Sequence, residues 1–289
     1  MTLLVRDEAD IIRANIDFHL RQGVDFIVAT DNGSKDGTRE ILAEYEKRSV
    51  LTLIDEPGRD YSQGRWVSRM AHLARDEYEA DWILNNDADE FWHSKGADLK
   101  QDLANATASM LICARYQMFF PHDAPAPRNI FADARWRIAQ PVPNRPLAKP
   151  LEDPLAAPYL YLDLPSKVLC RAAGLENVEQ GNHSATYANA SQEHSQAITI
   201  YHYPIRGFGH FLRKVTLGGA AYANNKELHE SVGWHWRRWY GMVRSNRAVA
   251  AFQETMPSHA QLECELKCGV VLCDSTMCSE GSLERRMAA

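Results

Sequence analysis

The chain has 289 residues, of which 45% are hydrophobic and 24% are charged, a composition that excludes a disordered or fibrous protein. Its 32 lysines and arginines against 38 aspartates and glutamates give a formal charge of -6, which argues against a nucleic-acid partner. No stretch approaches the roughly 18 uninterrupted apolar residues that a membrane-spanning helix needs, and Met1 leads directly into a short apolar run and then charges, so a cytoplasmic protein is expected.

The first hundred residues alternate short apolar runs with helical periodicity, which is typical of βαβ units around a parallel sheet. Strands are predicted at residues 3–5, 24–29, 50–54 and 81–84. The helices predicted between them are one with Ile12, Ile16 and Leu20 on a single face, one over about residues 37–47, and one that carries Trp66, Met70 and Leu73.

The middle of the chain lacks the regular alternation of apolar runs and helical periodicity. Between residues 121 and 165 prolines are frequent and periodicity is lost, so we predict a long irregular excursion, with one short hairpin around residues 135–138, that forms a binding surface. Strand-like runs return at 167–170 and 197–203, with a weaker one at 182–187, and beyond Gly207 the pattern is helical. The predicted organisation is one α/β domain over 1–206 and a helical extension over 207–289.

Polar residues follow three of the predicted strands, at residues 6–8, 31–34 and 87–89. The strongest of these clusters is Asp87-Ala88-Asp89, because a strand tip that carries two carboxylates two residues apart can aim both at one cation. Such oxygen ligands suit Mg²⁺ or Mn²⁺ and leave positions for a substrate's phosphates. The alternative is that these acidic residues only end a strand and begin a turn.

The loop at residues 31–38 is rich in turn residues and lies between a predicted buried strand and a helix. In a binding role, Asp31 would accept hydrogen bonds from a base or ribose, and the glycines would let the backbone come close; otherwise it is an ordinary βα loop. The chain has neither a GxGxxG fingerprint after the first strand nor a Walker A motif. Hydride transfer and P-loop phosphoryl transfer therefore lack their motifs.

Three segments together carry a family resemblance: VRDEADII at 5–12, FIV leading to DNGSKDGT at 26–38, and DWIL leading to DADEF at 81–91. In this order and at this spacing they resemble glycosyltransferase family 2, and more narrowly its bacterial branch with a "VRNE"-type strand end and a "DADEF" motif. The sequence departs from that pattern at Asp7, where the family more often has asparagine. The resemblance covers about the first 95 residues and thins beyond Pro121.

The resemblance implies a GT-A fold, a Rossmann-like three-layer α/β domain with a mostly parallel sheet that binds a nucleotide-diphospho-sugar. Residues 1–120 would then be the nucleotide-binding half and 121–206 the acceptor half. By position, the nucleotide-binding residues would be Val5, Arg6, Glu8, Asp31, Arg65 and Asp87. Asp87 would face the ribose or a metal-bound water, and Asp89 would bind Mn²⁺ or Mg²⁺. Arg65 could equally be a solvated surface residue.

Such enzymes often recruit a later histidine as a further metal ligand. His202 lies in a segment that looks like the "HYPxR" of this branch and is preferred, with His183 as the alternative. Either could instead be a histidine hydrogen-bonded within the core. Arg206 and Lys214 would neutralise the diphosphate leaving group, or would form a basic helix face.

Family 2 enzymes are expected to invert the anomeric centre, which requires a carboxylate to deprotonate the acceptor hydroxyl. Asp153 is preferred as this base and Asp123 is the alternative, while Glu152 and Asp163 are also available. None of these carboxylates lies in a motif of the family.

Two features of the C-terminal part have two interpretations each. The first is an aromatic run beside two arginines, formed by Trp234, Trp236, Trp239 and Tyr240 with Arg237 and Arg238. It could rest on a membrane surface, at the inner face near a lipid-linked acceptor, or it could be core with a solvated basic edge. The spacing of Cys264, Cys268, Cys273 and Cys278 is unlike that of structural zinc sites, and apolar packing is expected instead.

The sequence therefore predicts a metal-dependent glycosyltransferase of hexosyl type that uses a nucleotide sugar, a UDP-sugar in particular. Its acceptor would be a glycan, a polysaccharide or a lipid-linked saccharide. A sugar nucleotidyltransferase is one alternative, although it should show a Gly-rich basic loop after the first strand, where this chain has Arg6-Asp7-Glu8-Ala9. A noncatalytic nucleotide-sugar-binding module is the other.

Overall fold

A computed structural model describes residues 1–58, 63–145, 147–149, 151–224 and 233–280. The chain divides into two compact units, which we call the sheet unit (Met1–Tyr116 with Pro165–His202) and the helical unit (Gln117–Leu164 with Tyr203–Ala289). In this division residues 117–164 group with the C-terminal helices, whereas the sequence placed them with the preceding domain.

The first part of the chain contains three helices between four strands, followed by two strands and a short helix. Its elements are β1 (Thr2–Val5), α1 (Ile12–Arg21), β2 (Ile27–Asp31), α2 (Thr38–Lys47), β3 (Leu51–Asp55), α3 (Gln63–Asp76), β4 (Trp82–Asp87), β5 (Glu90–Ser94), α4 (Leu99–Leu103) and β6 (Met110–Gln117). The predicted strands and helices up to β4 are all present, with β2 beginning three residues later than expected, at Ile27.

The second part begins with irregular chain and ends with helices. Its elements are α5 (Ile130–Asp133), β7 (Trp136–Ile138), β8 (Lys167–Arg171), β9 (Leu175–Val178), β10 (Ala185–Tyr187), β11 (Gln192–His202), α6 (Phe208–Lys214), α7 (Ala220–Asn224), α8 (Trp234–Arg244), α9 (Ala248–Gln253), α10 (His259–Lys267) and β12 (Val271–Cys273). Short 3₁₀ turns lie at Tyr159–Tyr161, Gln180–Asn182 and Thr276–Ser279, and a π-helical stretch at Val215–Gly219.

The sheet has eight strands in the order β3-β2-β1-β4-β8-β6-β11-β5. The strands from β3 to β4 are parallel, but β8 runs antiparallel to both β4 and β6, and β11 runs antiparallel to β5. The α/β class is confirmed, and β3, β2, β1 and β4 form the predicted parallel part of the sheet, which continues beyond β4 with antiparallel pairs. Parallel neighbours need a long crossover, and helical crossovers α1, α2 and α3 join only the first four strands.

Helices cover both faces of the parallel strands. Ile12 and Ile16 of α1 and Leu42 of α2 are buried in one core cluster with Leu3 of β1. On the other face, Met70 of α3 is buried in a second cluster, as are Val67, Ala74, Val28 and Ile83. Successive strand residues point to opposite faces, so strands buried on both sides read as continuous apolar runs. This is the expected three-layer arrangement.

Helix α1 is also joined to β5 by buried polar contacts. His19 lies between them: its Nδ1 donates to the Asn15 carbonyl oxygen at 2.8 Å, and its Nε2 accepts the backbone N–H of Trp92 at 3.2 Å. The second contact requires the neutral ring, because a protonated Nε2 cannot accept a hydrogen bond. Complete burial lowers the pKa of His19 to about 3.

Two expectations about the irregular middle and the tail need correction. The predicted hairpin at 135–138 is wrong, because β7 pairs antiparallel with the distant β12. The tail cysteines do not pack in the core, since Cys264, Cys268 and Cys273 are exposed. The register of β7 with β12 depends on chain far apart in sequence, which local patterns do not encode.

The aromatic run of α8 belongs to the interior of the helical unit. Trp234 and Trp239 are buried. Their rings pack with Tyr159 at centroid distances of 6.2 and 4.7 Å. Arg238 is buried as well, and its guanidinium forms two 2.7 Å hydrogen bonds with Glu254. None of the helices in the described ranges combines the length and the apolar character needed to cross a membrane.

The buried His19 gives folding a specific pH dependence. Below pH 6.5 the unfolded chain binds a proton that the folded chain excludes, so this residue makes stability fall as the pH decreases, by about 2–3 kcal/mol between pH 7 and 4.5. We expect urea unfolding of His19→Gln to show a correspondingly shallower acid slope than the parent. His194→Gln, at an exposed position, is the control, and parallel curves for His19→Gln and the parent would refute the assignment.

Candidate functional site

The ends of several strands meet at one edge of the sheet unit. Val5, the last residue of β1, pairs with Asp31 at the end of β2, and Leu4 pairs with Asp87 at the end of β4. On the antiparallel side, His202 at the end of β11 pairs with Glu90 at the start of β5. In open α/β sheets ligands bind beyond the carboxyl ends of the parallel strands, which makes this edge the candidate site.

A cluster of four charged side chains lies at this edge, which we call the ion cluster (Asp87, Glu90, Arg115 and Lys167). Lys167, only 1% exposed, places Nζ 2.5 Å from Asp87 Oδ2 and 3.3 Å from Glu90 Oε2. Arg115 Nη1 lies 2.9 Å from Glu90 Oε1. Buried charges are tolerated when paired, and here two cations balance two carboxylates.

The two carboxylates of the ion cluster titrate differently. Burial alone would raise the pKa of Glu90, but the charges of Lys167 and Arg115 outweigh it and the pKa is lowered. For Asp87 burial prevails, reinforced by the nearby Glu90 and Asp89 charges, and its pKa is raised although Lys167 opposes the shift. The charges of Lys167 and Arg115 therefore favour the ionised form of Glu90.

Asp89 and His202 form a second pair beside the ion cluster. His202 Nε2 lies 3.4 Å from Asp89 Oδ1, and both side chains are largely buried. Carboxylate oxygens are usual ligands of Mn²⁺ and Mg²⁺ at sites that keep positions for phosphate oxygens, and neutral imidazole is a common ligand of transition metals. Among the residues that the structure describes, no group of three or more His, Cys, Asp or Glu side chains is arranged to hold a metal ion. The donor set fits an ion that arrives with phosphate ligands of its own.

Asn15 of α1 fixes the backbone of the turn that carries these carboxylates. Its Nδ2 donates to the carbonyl oxygens of Ala88 at 2.9 Å and Glu90 at 2.8 Å, and its Oδ1 accepts from Asn86 Nδ2 at 2.8 Å. Trp92 Nε1 in turn donates to Asn86 Oδ1 at 3.0 Å. Every atom of the Asn15 amide is used, so the turn is held in one conformation.

The loops after β1 and β2 are hydrogen-bonded to each other. The backbone N–H groups of Asp7 and Glu8 donate to Ser34 Oγ at 2.9 Å and Thr38 Oγ1 at 2.8 Å. Gly33 and Gly37 have φ values of 69° and 100°, the left-handed conformations that glycine adopts without strain. The two loops form one rigid rim.

Asp31 lies at this rim and is 2% exposed. Its Oδ2 accepts from the backbone N–H of Ser34 at 3.0 Å, whereas its buried Oδ1 has no hydrogen-bond partner among the residues that the structure describes. A buried acceptor without a donor is costly, and a ligand that supplies an N–H or O–H would satisfy it.

The other predicted nucleotide-binding residues have different surroundings. Val5 and Glu8 are buried at the same strand end as Asp31. Arg6 is exposed, and its Nε lies 3.8 Å from Asp7 Oδ2. Arg65 is exposed on the first turn of α3.

His183, the alternative to His202, lies beside Lys167. Its Nδ1 donates to the carbonyl oxygen of Ser166 at 2.9 Å. Burial, together with the charge of Lys167, lowers its pKa to about 4, so the ring is neutral. The preceding Asn182 is 1% exposed and donates from Nδ2 to Asp87 Oδ1 at 3.4 Å.

The predicted base and leaving-group residues belong to the helical unit. Asp123 Oδ1 accepts from the backbone N–H of His259 at 2.8 Å and lies 3.0 Å from its Nδ1; burial alone would raise the pKa of Asp123, but these hydrogen bonds outweigh it and the pKa is lowered. Asp153 Oδ2 accepts from the backbone N–H of Lys149 at 2.9 Å. Arg206 is buried, and Lys214 ends helix α6.

Sequence reasoning missed the residues that surround the two motif aspartates. Asn15 lies on the buried face of α1, Arg115 lies in a strand that was not predicted, and Lys167 opens a strand that was. The one available signal in the sequence was that Lys167 and Asn15 interrupt otherwise apolar patterns. A polar side chain at a core position implies a buried partner, but the sequence does not name that partner.

Comparison with known protein families gives one match. The sequence model of glycosyltransferase family 92 matches residues 2–149. No curated protein sequence matches. Among solved structures, S. aureus TarS 1–349 in complex with UDP-GlcNAc is 12% identical, with a TM-score of 0.40 over 85% of this chain and 73% of that one. Mannosyltransferase PcManGT from Pyrobaculum calidifontis, in complex with GDP-Man and Mn²⁺, is 14% identical, with a TM-score of 0.38 over 92% of this chain and 79% of that one.

The Asn15 clamp can be tested by truncation. Asn15→Ala leaves two buried carbonyl groups and the Asn86 amide without their partner, so we expect the free energy of unfolding to fall by about 2–4 kcal/mol in urea titrations. Asn105→Ala, at an exposed position, is the matched control and should change it by less than about 0.5 kcal/mol. Equal effects of the two substitutions would contradict the role of Asn15.

Proposed function

Because the chain belongs to glycosyltransferase family 92, we propose that it transfers a sugar from a nucleotide-diphospho-sugar to an acceptor hydroxyl, with the strand-end edge of the sheet unit as the donor site. The observation that carries this proposal is that Asp31 and the Asp87-Ala88-Asp89 turn lie at the ends of β2 and β4, the two strands that flank β1, and that one buried oxygen of Asp31 has no partner among the described residues. A nucleoside group and a diphosphate group would each find a suitable partner there.

Family membership makes the protein a transferase of glycosyl groups, as the sequence motifs predicted. The narrower assignment to family 2 is not supported by this match, because the matching family is family 92. The motifs at 5–12, 26–38 and 81–91 all lie inside the matched region of residues 2–149. Asp31, Asp87 and Asp89 therefore lie in the matched region, whereas His202 lies outside it.

Recognition of the nucleoside is assigned to the rim beside β1 and β2. Asp31 Oδ1 would accept an N–H of the base or a ribose hydroxyl, which removes the cost of its unsatisfied burial. Uracil carries one N–H flanked by two carbonyl groups, so a UDP-sugar is the donor we favour. Val5, Arg6 and Glu8 at the adjacent strand end, and Arg65 on α3, would complete this pocket.

Asp89 and His202 would hold the divalent ion, Mn²⁺ or Mg²⁺, when it is present. Such an ion supplies positive charge to a diphosphate leaving group. Asp87, held by Lys167 and Asn182, keeps lone pairs for hydroxyl groups of the donor. Asn15 holds the turn rigidly, so these carboxylates need no rearrangement when a substrate binds.

Breaking the anomeric C–O bond places negative charge on the departing diphosphate and positive character on the sugar. Arg206 and Lys214 are proposed to neutralise the leaving group together with the ion. For an inverting transfer, Asp153 remains the preferred base and Asp123 the alternative, and the hydrogen bonds from His259 that lower the pKa of Asp123 make that carboxylate a weaker base.

The acceptor is proposed to be a glycan, a polysaccharide or a lipid-linked saccharide. Association with a membrane face would need an exposed apolar or basic surface, and the tryptophans of α8 at positions 234 and 239 do not provide one because they are buried. A sugar nucleotidyltransferase is disfavoured, since the loop after β1 is acidic rather than Gly-rich and basic. A noncatalytic binding module shares the donor site and differs only in turnover.

The donor site predicts a ligand-dependent gain in thermal stability. UDP with Mn²⁺ should raise the Tm of the parent, since a ligand at about 100 times its Kd adds about 2.7 kcal/mol. Asp89→Ala should lose most of the metal-dependent part of the shift, and Asp31→Asn most of the nucleotide-dependent part. Asp81→Ala, at the exposed opposite end of β4, should shift as the parent does.

Turnover separates the enzyme from the binding module. Release of UDP from a panel of UDP-sugars with Mn²⁺ should be detectable in the parent and reduced at least about 100-fold in Asp89→Ala. Stabilisation by UDP without turnover of any donor would support the binding module. Equal stabilisation of the parent and Asp89→Ala would exclude Asp89 as a ligand.

A further inference from the structure

The oxygen atoms of Asp87 are both occupied by donors of the chain itself. Lys167 Nζ lies 2.5 Å from Oδ2, and Asn182 Nδ2 donates to Oδ1 at 3.4 Å. Lys167 and Asn182 are each 1% exposed, so neither side chain can swing into solvent. The Asp87 side chain is nevertheless 31% exposed, which leaves part of it open to a ligand.

Lys167 is anchored from a second direction as well. Its Nζ lies 3.3 Å from Glu90 Oε2, and the other oxygen of Glu90 is held by Arg115 at 2.9 Å. Asn182 has a backbone φ of 58°, a left-handed conformation that asparagine tolerates better than most residues. The ammonium group is thus fixed among the carboxylates rather than free to meet phosphate.

We propose that Lys167 is a positioning residue that withholds Asp87 from the divalent ion and keeps its carboxylate for hydroxyl groups of the donor. This inference rests on the proposed function, because the ion and the donor belong to that function. It assigns different tasks to two aspartates that are only two residues apart. Lys167 itself touches neither donor nor ion and acts through Asp87.

The physical basis is competition between two cations for one carboxylate. An ammonium group already in contact with Asp87 repels a divalent ion and occupies the lone pairs that would bind it. Asp89 instead lies beside His202, whose Nε2 is 3.4 Å from Asp89 Oδ1 and whose imidazole nitrogen is itself a usual metal ligand. If the Lys167 charge is removed, Asp87 becomes an uncompensated carboxylate next to Asp89.

The inference predicts a gain of metal binding from the loss of a cation. In titrations of Mn²⁺ alone, followed by the electron paramagnetic resonance signal of the free ion, Lys167→Met should bind Mn²⁺ about tenfold more tightly than the parent. Lys167→Arg keeps the charge and should bind as the parent does. A purely structural lysine would give equal or weaker binding in Lys167→Met, and that result in a folded variant would overturn the proposal.

A second arm does not require Lys167→Met to fold. With Lys167 in place, Asp87→Asn should change the Mn²⁺ affinity by less than about threefold, whereas Asp89→Asn should lower it by more than about tenfold. Circular dichroism of each variant verifies the fold. Equal losses in Asp87→Asn and Asp89→Asn would make Asp87 a metal ligand and would refute the role of Lys167.

The two proposals can fail separately. The Mn²⁺ titrations contain no nucleotide, so a gain in Lys167→Met stands even if the parent binds no UDP, in which case only the proposed function falls. If the parent binds UDP with Mn²⁺ and turns over a donor, but Lys167→Met gains no affinity for Mn²⁺, the proposed function stands and the role of Lys167 is wrong.

Discussion

The compensation of buried charge at one end of the sheet is the constraint on which the candidate site depends. Glu90 is fully buried and would be very costly as a lone carboxylate, but Lys167 and Arg115 approach it from two neighbouring strands. Lys167 also contacts Asp87, the first aspartate of the motif, so the same ammonium group compensates the charges of both carboxylates. The ion cluster therefore links the stability of the sheet to the geometry of the site.

Next to the charged side chains, two neutral polar side chains of α1 fix the backbone that carries them. Asn15 and His19, one turn apart on α1, together hold the backbone of the β4–β5 turn and the start of β5. Each uses all of its polar atoms in a site without solvent, where a hydrogen bond is strong and an unmade one is costly. The neighbouring carboxylates are thereby presented in one orientation, which is what preorganised binding of a phosphate group requires.

The helical unit has its own polar and aromatic interior. Arg238 joins Glu254 through two hydrogen bonds and the carbonyl oxygen of Asp153 through a third, so the turn that carries Asp153 is fixed to α8. The rings around Tyr159 fill the space next to it. Trp234 and Trp239 of α8 are therefore core residues, because their rings pack inside the unit, and the adjacent Arg238 is buried because Glu254 pairs with its charge.

The sequence by itself determined the βαβ half of the fold and the motifs at its strand ends. Apolar runs and helical periodicity are local signals, and parallel strands joined by helices bring Asp31 and Asp87 to one edge whatever the remaining chain does. The tertiary structure alone decided the antiparallel half of the sheet, the pairing of β7 with β12, and the partners of the motif carboxylates. Lys167 is 80 residues from Asp87 in the chain, and nothing local distinguishes it from an exposed lysine. Its role follows only from the antiparallel register that places the start of β8 beside the end of β4.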